Sequence, residues 1–457
     1  MATISRHSQD GLEWERRVFD TVPRWTREPS IPAIESICRK ELCVSPSNPC
    51  SITFYAAGAF NKLYRVDCAD RSLLMRVSLP VHPHHKTRGE VATLNWVRHN
   101  TTAPVPKIVA FDDSNSNEIG FEWIMMELMS GFPAHRRWRT MSMEQKVAIT
   151  KRIAEIQAEL FCYGKQNLAF RNVGTLHTDL SMERAEMAAV VAPGQMIFHE
   201  FFMDNRLKYH VPRGPFCSSY AWLESQLNIN IQEQLAAIEE AKDDNDREDA
   251  EEILTPTRRL LSLLPKVFTQ TDDGYAEPTV LWHDDLNLHN ILVDEKGGLT
   301  AIVDWECVSA LPIWMTADMP RYLKQESRLE EPIRDNYSNE TCEESLASQN
   351  CDDPDRLDNE GKDSLYWIHR MEYEATQLRE VYKTRLRQLW PDWPPQDSDR
   401  KLDFYEAALL CSGGVFLKLV NTWMDRIERG DPIRLADALQ PEPVYYTGQR
   451  LPEANVQ

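Results

Sequence analysis

The chain has 457 residues, 42% hydrophobic, with 51 basic against 71 acidic residues and a formal net charge of −20. That composition suits a folded protein of two or three lobes with ample core; the acid excess argues against nucleic acid and anionic membrane as partners and favours a cationic ligand. Ten cysteines with no C-x-x-C pair, no run near the length of a spanning helix and no apolar leader in MATISRHSQDGLEWERR point to reduced thiols, no membrane span and a cytoplasmic location.

In chain order, residues 1–50 read as a helical extension broken by Pro23, Pro29 and Pro32. Residues 51–130 turn to strands. SITFYAAGAFNKLYRVDC reads as strand, small-residue turn and strand, and RSLLMRVSLP as a third strand ended by Pro80. TRGEVATLNWVRHN follows as an amphipathic helix with Val91, Leu94 and Val97 on one face. VPKIVAFDD and FEWIMMELMSG are two further strands. Residues 131–445 are mainly helical, starting from MSMEQKVAITKRIAEIQAELFCYG, and 215–265 carries the acidic run EEAKDDNDREDAEE, read as a solvated face. Residues 324–363 form an acid-rich surface insertion, and 446–457 a tail. The expectation is a small β-rich lobe ahead of a large helical one, with a small-molecule cleft between them.

The chemistry concentrates in VLWHDDLNLHNILVDEKGGLTAIVDWE, Val280 to Glu306. Carboxylates among runs of Ile, Leu and Val must find partners, because leaving them buried and unpaired is costly. NILVDE and LTAIVDWE flank Lys296-Gly297-Gly298, a hairpin signal. Such a hairpin returns Asp304 to the side of Asn290, with Asp285 on the loop just before. Two carboxylates and an amide oxygen would then converge, a hard-oxygen set suited to Mg²⁺ beside phosphate.

His283, Asp285 and Asn290 spell H-x-D-x-x-x-x-N, and D-W-E occupies the place of the kinase D-F-G. Here the chain resembles the aminoglycoside phosphotransferase and choline-kinase-like family of the protein-kinase-like superfamily. Its loop departs from that family's H-G-D at Asp284. Upstream, AAGAFNKLYRV resembles the family's G-x-x-N-x-x-Y-x-V nucleotide loop at Gly58, Asn61, Tyr64 and Val66. Arg76 in LLMRV stands where kinases place Lys, Glu90 follows on the next helix, and FEWIMMELMSG resembles the strand that joins the lobes. The resemblance covers roughly residues 50–130 and 275–325.

That resemblance implies a two-lobed, protein-kinase-like α+β fold. It also implies Mg²⁺-dependent transfer of the γ-phosphate of ATP or GTP to a hydroxyl of a small molecule. Asp285 would be the catalytic base and His283 would orient its loop. Asn290 and Asp304 would hold the metal. Gly58, Asn61 and Arg76, the last braced by Glu90, would take the phosphates, and backbone at Glu127 to Met129 would meet the purine, with Met125 or Met126 facing the base. A cationic acceptor fits the acidic chain, with Trp367 and Trp423 as candidates for an aromatic face. The absence of D-F-G, of A-P-E and of an activation-loop pattern disfavours a protein kinase. Arg76 for Lys and Asp284 for Gly keep open an inactive nucleotide-binding protein that acts through protein partners. A metal hydrolase lacks any further His/Asp set with zinc-like spacing.

Overall fold

A β-hairpin opens the chain in the computed structural model, which describes residues 8–17, 21–68, 71–162, 170–178, 191–269, 276–340, 357–431 and 433–439. Strands β1 (Leu12–Arg16) and β2 (Thr21–Trp25) pair antiparallel where a helical extension was expected. The correction has a simple cause. Leu12 and Trp14 are two residues apart, the period of a strand, and both pack with Trp25 against the front-lobe core. Trp25 lies edge-on to Phe121 with ring centroids 4.9 Å apart. Among the described residues of this stretch only α1 (Ile31–Glu41) is helical; Ser30 caps it by accepting from the Ala33 N–H, and Pro32 sits in the first turn, where no N–H is needed. Ile34, Ile37 and Cys38 of α1 enter the same core, so residues 12–41 are part of the front lobe.

Strands β3 (Cys50–Ala57), β4 (Asn61–Cys68) and β5 (Arg71–Ser78), helix α2 (His85–Asn100), and strands β6 (Ile108–Asp112) and β7 (Glu122–Glu127) complete that lobe. The five strands form one antiparallel sheet in the order β3-β4-β5-β7-β6. Alternation sends Tyr64, Val66, Met75 and Val77 into the core. The register Leu63↔Arg76↔Ile124 sets the opposite face, which meets α2. That helix is buried on nearly every side, because it is wedged between the sheet and a strand of the back lobe (Gly174–Thr178). Gly89 permits the approach: a Cβ there would stand 2.7 Å from Thr175 Cγ2.

The back lobe runs through β8 (Phe132–Pro133), α3 (Ala134–Trp138), α4 (Met143–Cys162), β9 (Phe170–Arg171), β10 (Gly174–Thr178), β11 (Val191–Pro193) and α5 (His199–Phe202). It continues with α6 (Ser219–Glu240), α7 (Asp244–Val267), β12 (Pro278–Trp282), β13 (Ile291–Val293), β14 (Leu299–Ile302) and β15 (Ser309–Pro312). Three helices close it: α8 (Ser364–Leu389), α9 (Ser398–Ser412) and α10 (Leu417–Glu428). The whole is a two-lobed α+β fold, β-rich in front and helical behind. The acidic run has a structural use. Asp243 caps α7 by accepting from the Asp246 N–H, and Asp244 and Asp246 sit in its first turn, favourably placed against the helix dipole.

One apolar core unites the back lobe, including Trp222, Trp282, Trp305, Trp314, Tyr382 and Phe404. Within it Lys146 of α4 and Glu374 of α8 form a buried ion pair at 2.6 Å. Residues 324–340 and 357–363 dock on α8, as in the Arg328–Glu372 pair at 2.9 Å; residues 341–356 of the expected insertion, and the expected tail, lie outside the described residues. The lobes interlock. Ile197, Phe202 and Cys307 belong to the front-lobe core, and Phe60 packs on His199 and Phe202 of α5 with centroids 5.5 and 5.6 Å away. Among the described residues no helix is long and apolar enough to cross a membrane.

Candidate active site

The β13–β14 hairpin sets the floor of the cleft. Asp294 accepts from the N–H groups of Lys296 and Gly298, both at 2.8 Å, and Gly297 takes φ +78, closing the turn that the Gly-Gly pair announced. Ile291 pairs with Ile302, and the Val303 N–H donates to the Asn290 carbonyl at 2.9 Å. Asp304 is thereby returned to the Asn290 end of the hairpin.

Asp285 is held by its own loop. Asn290 Nδ2 donates to both the backbone oxygen and Oδ2 of Asp285 at 2.9 Å, and Asn287 Nδ2 donates to Oδ1 at 2.9 Å. Arg321 Nε stands 3.5 Å from Oδ1. Spending Nδ2 on Asp285 leaves the Asn290 amide oxygen clear of that contact. His283 is buried, with its ring 4.8 Å from that of Trp305, and its Nε2–H donates to the Val303 carbonyl at 3.3 Å. Burial holds its pKa down to about 4, so the ring is neutral at pH 7 and ties the loop to the strand bearing Asp304.

Above the floor lies a charged network. Arg76 Nη1 is 2.8 Å from Glu90 Oε1, while Nη2 reaches Asp304 Oδ1 at 3.1 Å and Glu306 Oε2 at 2.6 Å. The same Glu306 oxygen meets Lys86 Nζ and accepts from Asn61 Nδ2 at 2.8 Å. Asn61 Oδ1 in turn accepts from Ser78 Oγ at 2.7 Å and Lys86 Nζ at 3.1 Å. Burial opposes the charge on Glu306, but Arg76, Lys86 and the bonds from Lys86 and Asn61 outweigh it and hold the carboxyl far below its usual range. Burial pushes Glu90 up to about 7 against the pull of Arg76 and Lys86. Burial and then Glu306 also raise Asp304, with Arg76 opposing. Its backbone stands at φ +63, in the left-handed region.

Sequence reasoning singled out Arg76, Glu90, Asn61, Asn290 and Asp304, and the structure brings the first three and Asp304 into one network. It missed Lys86 and left Glu306 without a role. Lys86 carried a usable signal, since it precedes Glu90 by four residues and so shares its helix face. Other expected positions look different. A Cβ on Gly58 would meet nothing within 4 Å and its φ is not positive, so the loop there offers open space without requiring glycine. The Glu127 N–H is spent on the Lys107 carbonyl at 2.9 Å and is closed to a purine, while Met129 lies beyond the end of β7. Met125 and Met126 are buried in core clusters. Trp367 and Trp423 are core residues and present no open aromatic face. Asp284 is not among the residues with positive φ, so its departure from Gly strains no backbone.

The donor set fits a hard divalent cation. Glu90, Asp304 and Glu306 face Arg76 and Lys86, three carboxylates against two cations, which leaves one negative charge in surplus when all are ionised. Asp304 keeps 37% of its side chain exposed. Among the described residues no group of three or more His, Cys, Asp or Glu is arranged to hold a metal alone. Mg²⁺ does not require one, since it is commonly held by one or two protein oxygens plus phosphate.

The family model described as the phosphotransferase enzyme family matches residues 51–315, which hold every residue of this site except Arg321. The chain belongs to that family. Among curated proteins, it is 26% identical over 317 residues to a subtelomeric hrmA-associated cluster protein of Aspergillus fumigatus, covering 60% of each chain. It is also 26% identical over 189 residues to clavilactone A biosynthesis cluster protein Y of Ampulloclitocybe clavipes, covering 41% of this chain and 35% of that one. The chain spans about 60% of the length of the first of these relatives. Among solved structures it is similar to the ternary complex of APH(2″)-IIa with streptomycin and ATP, at 10% identity and a TM-score of 0.43, covering 91% of this chain and 98% of that one.

Proposed function

We propose that the protein transfers the γ-phosphate of ATP or GTP to a hydroxyl of a small, cationic molecule, with a cytoplasmic location as part of the same reading. The observation that carries it is the meeting of Arg76 and Asp304 at 3.1 Å above a loop that presents Asp285. Phosphoryl transfer asks for positioning and charge neutralisation rather than covalent chemistry, and this site supplies both. Asn287 and Asn290 aim the Asp285 carboxylate, which takes the acceptor's hydroxyl proton as its oxygen bonds to the γ-phosphorus. The bond from that phosphorus to the β–γ bridging oxygen breaks, and Arg76 takes the charge growing on the departing diphosphate. The Asp304 carboxylate and the Asn290 amide oxygen would hold Mg²⁺, which when bound would supply charge neutralisation to the nucleotide phosphates. Net acidity supports the cationic acceptor.

The test is calorimetric titration of the full chain with ATP and GTP, with and without Mg²⁺, for the wild type, Asp304→Asn and Asp285→Asn. Magnesium-dependent binding should be present in the wild type, lost in Asp304→Asn and kept in Asp285→Asn. With an acceptor in hand, Asp285→Asn should lower transfer by about 10²–10⁴-fold. A folded wild type that binds neither nucleotide would sink the proposal and favour an inactive protein acting through partners.

A further inference from the structure

We propose that Lys86 is a positioning residue for the nucleotide phosphates: it keeps Glu306 neutralised so that Arg76 is free to leave that carboxylate for the ligand. The inference rests on the nucleotide site proposed above and assigns a role to a cation outside its motifs.

Arg76 cannot serve a phosphate as it stands. Its Nη groups are shared among Glu90, Asp304 and Glu306, and its Nε, also buried, has no hydrogen-bond partner. An arriving phosphate must draw at least part of the guanidinium from these carboxylates. Glu90 keeps the Nη1 side, and Asp304, 37% exposed, can be served by solvent when the guanidinium turns. Glu306 is the difficult partner, since only 13% of its side chain is exposed and a buried carboxylate stripped of its cation is costly. Lys86 removes that obstacle. Its side chain is 2% exposed, its Nζ lies on the same Glu306 oxygen that Arg76 uses, and Asn61 Nδ2 supplies a further donor. When Arg76 turns away, Glu306 remains paired.

The geometry also explains why the residue is a lysine in the first turn of α2. From there one ammonium reaches Glu306, just beyond Asp304, and Asn61 Oδ1, in the nucleotide loop, at the same time. Three hydrogens on one point charge suit two partners on different segments, where a planar guanidinium would favour one bidentate acceptor. Lys86 thus holds the loop and the acidic segment at a fixed spacing around the place Arg76 must enter.

The experiment is Mg²⁺–ATP and Mg²⁺–GTP titration of the full chain as wild type, Lys86→Met, Lys86→Arg, Glu306→Gln and the double variant Lys86→Met/Glu306→Gln, with circular dichroism to confirm folding. Lys86→Met should weaken nucleotide binding by about tenfold or more, because Arg76 is then retained by Glu306. The double variant should recover most of that loss, since a neutral amide no longer needs a counter-ion; a merely structural lysine would give no such rescue. If Lys86→Met does not fold, Lys86→Arg against the wild type and the double variant against Glu306→Gln still decide. A loss below about fivefold in the first, whose guanidinium still neutralises Glu306 though it serves Asn61 less well, and no added loss in the second are expected. Wild-type affinity in Lys86→Met, or an additive loss in the double variant, overturns the role of Lys86 while the nucleotide site stands. Absence of binding in the wild type overturns the site itself.

Discussion

His82 is 5% exposed and neither of its ring nitrogens has a hydrogen-bond partner. Burial, reinforced by His85 and Arg213, lowers its pKa from 6.5 to about 3. As pH falls through 6.5 the unfolded chain takes up a proton that the folded chain refuses. Stability present above that pH is therefore lost on the acid side, at about 1.4 kcal/mol per pH unit. His82→Phe should flatten the stability curve between pH 6.5 and 5 by this slope, read from urea melts; parallel curves for the two proteins would refute the burial argument. Such residues are hard to read from sequence, where a histidine in VHPHHK looks like a surface turn. Spacing singled out Asp285, Asn290 and Asp304 because they lie along one loop and hairpin whose Gly-Gly turn is readable in the sequence. Glu306 escaped because a buried, paired ion is indistinguishable in one dimension from an exposed one, while Lys86 offered only its spacing of four from Glu90, which a pair of exposed residues also shows.

Elements with strong periodicity were legible: the strands at 50–78, α2, α4 and the β13–β14 hairpin fall where the sequence pattern puts them. The hairpin at residues 12–25 did not, since two five-residue strands carry too few alternations to outweigh the prolines nearby. Gly131, read as the end of a strand, turns out to be a packing constraint between elements. It takes φ +112, and a Cβ there would stand 2.4 Å from Thr300 Oγ1 and 2.8 Å from the Val293 carbonyl oxygen. The Thr300 side chain would have to turn and the β13 backbone to move, and backbone does not yield cheaply. Gly131→Ala should destabilise the protein by about 1–3 kcal/mol. Chemical denaturation measures this directly, and a loss below about 0.5 kcal/mol would mean the hairpin accommodates the methyl group.

At the scale of the molecule, the lobes are not two beads on a string. The segment around α5 reaches from the back lobe into the front-lobe core, and Phe60 at the tip of the nucleotide loop rests on it. No sequence pattern announces such a contact, because it joins residues 142 positions apart with no shared motif. The left-handed backbone of Asp304 and the negative charge left in surplus when its network is fully ionised, above pH 7, have a further consequence. Asn tolerates that conformation, keeps an oxygen for Arg76 and removes the excess charge. Without ligand, Asp304→Asn should therefore melt about 1–3 °C above the wild type. With Mg²⁺–nucleotide in excess the order should reverse, because only the wild type gains from ligation. An unliganded variant that melts well below the wild type would count against this reading. The proposed ligand would thereby stabilise the fold as well as react in it, because it brings positive charge to a place where carboxylates outnumber cations.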